Sequence, residues 1–340
     1  MRQPEYLKQG DTIGIVAPSM PMGKRHLKRM KNAVKKFEKL GYKVEFSNSV
    51  FNKDSELRSA SGETRAKEFM EMYKREDVKI LISISGGEVM MEMLPFIDFE
   101  ELKSLPPKYF LGYSDNTNMT YSLTAISDVM SIYGITFASF GMEKWHKSID
   151  DLYKFLIGLN PQLKSYPKCE IEPINKEKGC ELLGYNLTKR NTWKILSQEK
   201  SVDVEGISIG GCLDILTMLC GTKFDKTKEF VNKYKTEGII WFLESCDLNV
   251  LSQYRALWQL KQAGWFENAK AIVIGRPLNK EKQFDMDYKS ANYMALKDLN
   301  IPIIIDADFG HTNPKIHIVC GAKTRLRVDK GKAIINYNLD

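Results

Sequence analysis

The 340-residue chain has no apolar run approaching the length of a membrane span, which argues against a spanning helix. Its first residues, Met1-Arg2-Gln3-Pro4-Glu5, run into a polar segment without the apolar core of a signal peptide, so no leader is expected. Cysteine occurs six times, at Cys169, Cys180, Cys212, Cys220, Cys246 and Cys320, but never as C-x-x-C and never at metal-ligand spacing. A zinc ribbon and a dithiol redox motif are thereby disfavoured. Reduced thiols in a cytoplasmic protein, with no metal, are expected instead. Histidine is scarcer still: His26, His146, His311 and His317 are all there is. The 50 basic and 43 acidic residues leave a net charge of +7, but the lysines are scattered and form no long block. No aromatic stripe interleaves them, so nucleic acid is not an expected partner. A mildly basic surface suits an acidic small substrate.

What is present is an alternation of elements. Apolar residues make up 43% of the chain, enough for one large domain or two medium ones. Residues 12–17 read as a buried strand. Leu27, Met30, Val34, Phe37 and Leu40 then follow at helical spacing, with Gly41 as a stop. A strand over 42–46, a charged helix over 62–76, a strand over 79–84 ending before Gly86-Gly87, and a strand running into Ser114 come next. Strand and helix in alternation predict a parallel α/β layer. The polar stretch 160–179 carries Pro161, Pro167 and Pro173 and reads as a linker. The expected domains are therefore 1–165 and 166–340. In the second, Gly210-Gly211 opens a helix to Leu219, strands end at Glu244 and Ile274, and a helix spans Asn249 to Ala263. A hairpin closes the chain across Asp329-Lys330-Gly331-Lys332.

Three polar residues stand where a strand gives way to something else. Ser114 follows Tyr109-Phe110-Leu111-Gly112-Tyr113 and precedes a helix-like stretch. Glu244 ends Ile239-Ile240-Trp241-Phe242-Leu243. His311 lies in Asp308-Phe309-Gly310-His311-Thr312-Asn313-Pro314, after Ile301-Pro302-Ile303-Ile304-Ile305. A serine hydrolase needs a nucleophile, a base, a group that orients the base and donors for the oxyanion. Ser114, His311 and Glu244 supply the first three types. Ser114 also has a plainer reading as a helix N-cap, although Asp115 could cap in its place. Glu244 ends a run too apolar for an unpaired carboxylate and wants a partner, which His311 provides. His26 reads as solvated, His146 as surface and His317 as structural. Gly86-Gly87 reads either as a tight turn or as an oxyanion hole whose backbone N–H groups a substrate can approach. The pattern Gly112-x-Ser114-x-Asn116 lacks the second glycine of the usual nucleophile elbow, which disfavours an ordinary α/β-hydrolase.

In these motifs the chain resembles the LD-carboxypeptidase family of serine peptidases. The likeness runs from Leu7-x-x-Gly10-Asp11-x-Ile13-x-Ile15-x-Ala17-Pro18-Ser19, through Arg65, Gly86-Gly87 and Leu94-Pro95-x-Ile97-Asp98, to Gly112-Tyr113-Ser114-Asp115-x-Thr117. It continues with Gly210-Gly211-Cys212-Leu213, Leu219-Cys220-Gly221-Thr222, Phe242-Leu243-Glu244 and Gly310-His311-x-x-Pro314, in family order. The resemblance implies an N-terminal parallel-sheet domain like class I glutamine amidotransferases, a C-terminal α/β domain with its own sheet, and a homodimer. It implies a Ser114–His311–Glu244 triad, an oxyanion hole from the backbone of Gly87 and Asp115, and no cofactor. The implied reaction cleaves the amide between an L-centre and a C-terminal D-residue, as in D-alanine release from murein tetrapeptide. A microcin-immunity-type peptidase acting on a peptidyl or aminoacyl nucleotide is the rival, and Trp193 is the residue that could stack on a nucleobase there, although a loop tryptophan also reads as packed on a neighbouring element. Gly86 and Trp193 are the expected substrate contacts. A catalytically silent peptide-binding protein is a third reading, which the intact serine, glutamate and histidine oppose. Two stretches depart from the family: Glu88-Val89-Met90 after the glycine pair, and Tyr133-Gly134-Ile135-Thr136. Both are expected to border the substrate and so to bear on specificity.

Overall fold

Thr-Ile-Gly-Ile-Val and Val-Lys-Ile-Leu-Ile-Ser are nearly unbroken aliphatic runs, the pattern of parallel strands covered on both faces. In the computed structural model they form β1 (Thr12–Val16) and, after β2 (Lys43–Phe46), β3 (Val78–Ser83). With β4 (Tyr109–Gly112) and β5 (Ser131–Tyr133) they make a parallel array in the order β5-β4-β3-β1-β2. The connections carry α1 (Leu27–Lys39), α2 (Gly62–Lys74), α3 (Phe99–Ser104) and α4 (Thr117–Ala125). α1 buries Met30 and Phe37 from the predicted apolar stripe, together with Ala33, whereas Leu27 of that stripe is exposed. α2 starts at Ser61, whose hydroxyl accepts the Thr64 N–H. The strand order reverses between β1 and β3. The loops leaving the carboxyl ends of these two strands therefore flank the switch point where open α/β sheets place their ligands.

The structure describes residues 1–174 and 177–339. They fall into two units, Met1–Pro161 with Ile171–Asn186, and Gln162–Glu170 with the chain from Leu187 onward. The segment expected to be a linker is thus shared between them. Its residues 163–164 and 168–170 form β6 and β7, which pair within the second unit, whereas Ile171 onward belongs to the first. After α5 (Lys147–Leu156) the first unit has no further strand among the described residues.

The second unit has its own mixed sheet. β8 (Leu187–Arg190) pairs with β7, and β9 (Lys194–Ile195) caps one edge of the large sheet. Its centre is parallel: β10 (Ser201–Cys212), β11 (Ile239–Glu244), β12 (Ala269–Gly275) and β13 (Ile303–Ala307) lie side by side. β10 takes up Gly210 and Gly211, expected at a helix start. The helix α6 (Leu213–Leu219) begins after them, because Gly210 and Gly211 pair with Phe242 and Leu243 of β11, so close that Gly210 has no room for a side chain. Past the short β14 (Ile318–Cys320), β15 (Lys323–Asp329) and β16 (Lys332–Asn338) form the expected hairpin and add to β10 antiparallel. None of the six cysteines is in a disulfide. Among the described residues no helix is long and apolar enough to cross a membrane.

His317, just ahead of β14, is buried beside the ring of Tyr337, and burial pushes its pKa down to about 3. In the unfolded chain the imidazole regains its ordinary value near ~6.5. As pH falls below that value the unfolded state takes up the proton and the folded state does not. The fold therefore loses stability between pH ~6.5 and about 3, and the contribution is constant above that window. At pH 5 the loss should be about 2 kcal/mol. Urea midpoints of the wild type and of His317→Gln at pH 7.5 and 5.0 measure it. Equal pH dependence in the two proteins would contradict the assignment.

Candidate active site

Ser114 occupies the tight turn between β4 and the helical segment before α4, with φ +64°, a left-handed conformation that a non-glycine residue adopts only when its surroundings hold it there. Three hydrogen bonds brace the turn. The Ser114 N–H donates to the Tyr133 hydroxyl at 3.0 Å. Asn116 donates its amide to the carbonyls of Ser85 and Tyr113 at 3.0 and 2.9 Å, and its side chain fills the space that a Cβ on Gly112 would need. The motif thus replaces the second glycine of an ordinary elbow with an asparagine packed on the first. Neither helical start has a side-chain cap, so the N-cap readings of Ser114 and Asp115 are both corrected.

Asp115 is buried and ties the turn to its neighbours instead. Its Oδ2 accepts the Ser19 hydroxyl at 2.5 Å and the Met90 N–H at 2.9 Å, and its Oδ1 accepts from the Asn118 amide at 2.9 Å. Burial pushes this carboxyl above the ordinary carboxylate range, against those hydrogen bonds and the field of Arg65. Arg65, also buried, donates to the carbonyls of Pro18 and Val89 and pairs with Glu92 at 2.5 Å. The loops after β1, β3 and β4 are therefore cross-braced by a buried acid and a buried base. Gly86 runs beside Ser114: a Cβ on it would come 3.5 Å from the serine Oγ. Gly87 has φ +155°, and a Cβ there would strike the Ser19 hydroxyl at 2.1 Å, so only glycine fits. The two stretches that depart from the family bear on this turn directly. Met90 holds Asp115 and Tyr133 holds Ser114, a role that their sequence did not disclose.

In the second unit Glu244, the last residue of β11, is wholly buried, and His311 donates from Nδ1 to its Oε2 at 2.8 Å. A carboxylate only accepts, so the bond places the imidazole proton on Nδ1 and leaves Nε2 as the acceptor nitrogen. Room for this pair comes from two glycines. A Cβ on Gly275 would lie 2.9 Å from the Glu244 Cβ, and one on Gly310, at φ +100°, 2.7 Å from Oε2. A carboxylate that orients a histidine, and a serine held in a left-handed turn beside a glycine loop, are the residue types that serine hydrolysis uses.

Trp193 has a different place from the one expected. It is 2% exposed, and its indole N–H donates to Asp308 Oδ2 at 2.8 Å. Asp308 also accepts the Tyr166 N–H, the Asn191 amide and Arg276, and burial still pushes its carboxyl upward. Trp193 is a fixed part of this cluster and presents no face for a nucleobase. His26 and His146, expected at the surface, are half-buried, and burial lowers both pKa values, that of His26 to about 4.

The sequence matches the LD-carboxypeptidase N-terminal domain over residues 13–134 and the LD-carboxypeptidase C-terminal domain over residues 205–326. The chain belongs to the LD-carboxypeptidase family. It is a peptidase of the serine type, and a parallel-rich sheet in the N-terminal region followed by a second sheet in the C-terminal region agrees with the α/β architecture expected from the resemblance. Among relatives of this LD-carboxypeptidase, the microcin C7 self-immunity protein MccF of Escherichia coli is 28% identical over 95% of this chain and 92% of its own length. A protein named probable murein peptide carboxypeptidase in Bacillus subtilis is 24% identical over 98% of this chain and 94% of its own. The solved structure of MccF in complex with aspartyl sulfamoyl adenosine superposes with a TM-score of 0.82, at 25% identity, over 99% of this chain and 98% of that one.

Proposed function

We propose that this carboxypeptidase releases C-terminal D-alanine from murein tetrapeptide, with Ser114 as nucleophile, His311 as general base and Glu244 as the group that orients it. The observation that carries the proposal is the 2.8 Å bond from His311 to the fully buried Glu244. Ser114 Oγ attacks the scissile carbonyl while Nε2 of His311 takes its proton, and the same nitrogen then returns that proton to the leaving amine. Glu244 stabilises the imidazolium formed in between. Backbone N–H groups of Gly87 and Asp115 receive the oxyanion, supported by the glycine-only geometry at 87 and the brace on Asp115. Water repeats the sequence on the acyl-enzyme. No step calls on a metal or an organic cofactor. A cytoplasmic homodimer completes the reading; its support is the family resemblance.

The murein reading draws support from the named Bacillus subtilis relative and from the net charge of +7, which suits a substrate with several carboxylates. The rival substrate, an aminoacyl or peptidyl nucleotide, has the likeness to MccF behind it. It loses the one residue the sequence offered for it, because Trp193 is committed to Asp308. Mass spectrometry of products decides. The enzyme should release D-alanine from the tetrapeptide and leave an otherwise identical peptide ending in L-alanine intact. Cleavage of both at equal rates, or turnover confined to the nucleotide peptide, would overturn the substrate assignment and leave the triad standing.

A further inference from the structure

The loop that carries His311 is gripped at several points by the side chain of Arg276. Arg276 directly follows β12 and is 5% exposed. Its Nε donates to Thr312 Oγ1 at 2.8 Å, and its Nη2 to the carbonyls of Thr312 and Pro314 at 3.1 and 2.7 Å. Its Nη1 is ion-paired with Asp308, and its backbone N–H is bonded to Ala307. The guanidinium therefore contacts the loop on both sides of His311, at 308 and at 312 and 314. Asp308 is fixed in turn by Trp193, Asn191 and the Tyr166 N–H. A planar fork with several donors can satisfy a carboxylate and three oxygens of a turn together, which an ammonium cannot.

We propose that Arg276 is a positioning residue for His311, holding the 308–314 turn so that Nδ1 stays against Glu244 and Nε2 keeps its working direction. This rests on the reading of His311 as the catalytic base. Misplacing a base by about 1 Å costs on the order of 100-fold in rate, with substrate affinity little changed. Arg276→Ala should accordingly lose about 100-fold in kcat on the tetrapeptide, with KM within about threefold. The downfield imidazole N–H proton of the His311–Glu244 bond should disappear from the NMR spectrum, and added guanidinium ion should restore part of kcat. Arg276→Lys keeps a cation opposite Asp308 without the fork and should lose roughly tenfold in kcat. A folded Arg276→Ala protein with wild-type kcat and an intact downfield proton overturns the proposal. If Arg276→Ala does not fold, Arg276→Lys and Thr312→Val, which removes only the Nε acceptor, decide the matter. Lowered kcat at unchanged KM in both supports the positioning role, and wild-type kcat in either refutes it. His311→Ala separates the two readings. Activity that survives it removes the base itself, whereas an inert His311→Ala beside fully active Arg276 variants removes only the positioning role.

Discussion

Ser114→Ala is expected to lower kcat for D-alanine release by about 10⁴-fold or more while the protein stays folded. The fold should be indifferent to the change. Alanine fits the left-handed turn at φ +64° about as well as serine does, and the bond to Tyr133 is made by the backbone N–H, which alanine retains. What is lost is the only atom in the turn that can form the acyl-enzyme. His311→Ala should cost about as much, because without a base the hydroxyl is a poor nucleophile at neutral pH. The double variant should be little worse than either, since two groups that act as one unit are not additive. Steady-state kinetics with circular dichroism on the three proteins measures this. Near-wild-type turnover in a folded Ser114→Ala protein, or multiplicative losses in the double variant, would dismiss the triad.

Much of this was legible in the sequence because the signals were local. Continuous aliphatic runs declare buried parallel strands, and Thr12–Val16 and Ile239–Glu244 are strands for that reason. Asp-Lys-Gly-Lys declares a hairpin turn, and Lys330 and Gly331 duly adopt positive φ. Glu244 at the end of an apolar strand demanded a partner on energetic grounds, and His311 is that partner. What escaped was everything that depends on distant pairing. Nothing near Asp115 in sequence points to Ser19 or Met90, 96 and 25 residues away, so a cap is the one role that local sequence offers its side chain. Trp193 lies in a polar loop, where the sequence leaves stacking on a nucleobase and packing on a neighbouring element both open. Its burial is decided by Asp308, 115 residues later. The same separation hid Arg276, which looks like an ordinary surface arginine until β12 and β13 are set side by side. The segment expected to be a linker carries more structure than its sequence indicates, for a related reason. Proline and polarity mark an irregular path, and the chain uses that path to add two short strands to the second unit.

Glu244→Gln should lower kcat by about 10³- to 10⁴-fold and leave KM nearly unchanged. The substitution is isosteric, which matters because Gly275 and Gly310 leave no space around the side chain. The amide oxygen can still accept the Nδ1 proton of a neutral imidazole, so the resting geometry and the fold should persist. The charge cannot be replaced. When His311 takes the serine proton it becomes a cation in a site where Glu244 has no exposure to solvent, and there an anion's attraction far exceeds its value in water. If the amide flips and offers its NH₂ instead, it selects the wrong tautomer and protonates the nitrogen that should act as base, which adds to the loss. The two effects fall on the transition state and spare the bound substrate, hence the split between kcat and KM. Thermal denaturation should show the variant at least as stable as the wild type, since the substitution removes a charge that is wholly buried. A purely structural Glu244 predicts the reverse pattern, a lower melting temperature with kcat per folded molecule intact, and that pattern would exclude the carboxylate from the chemistry.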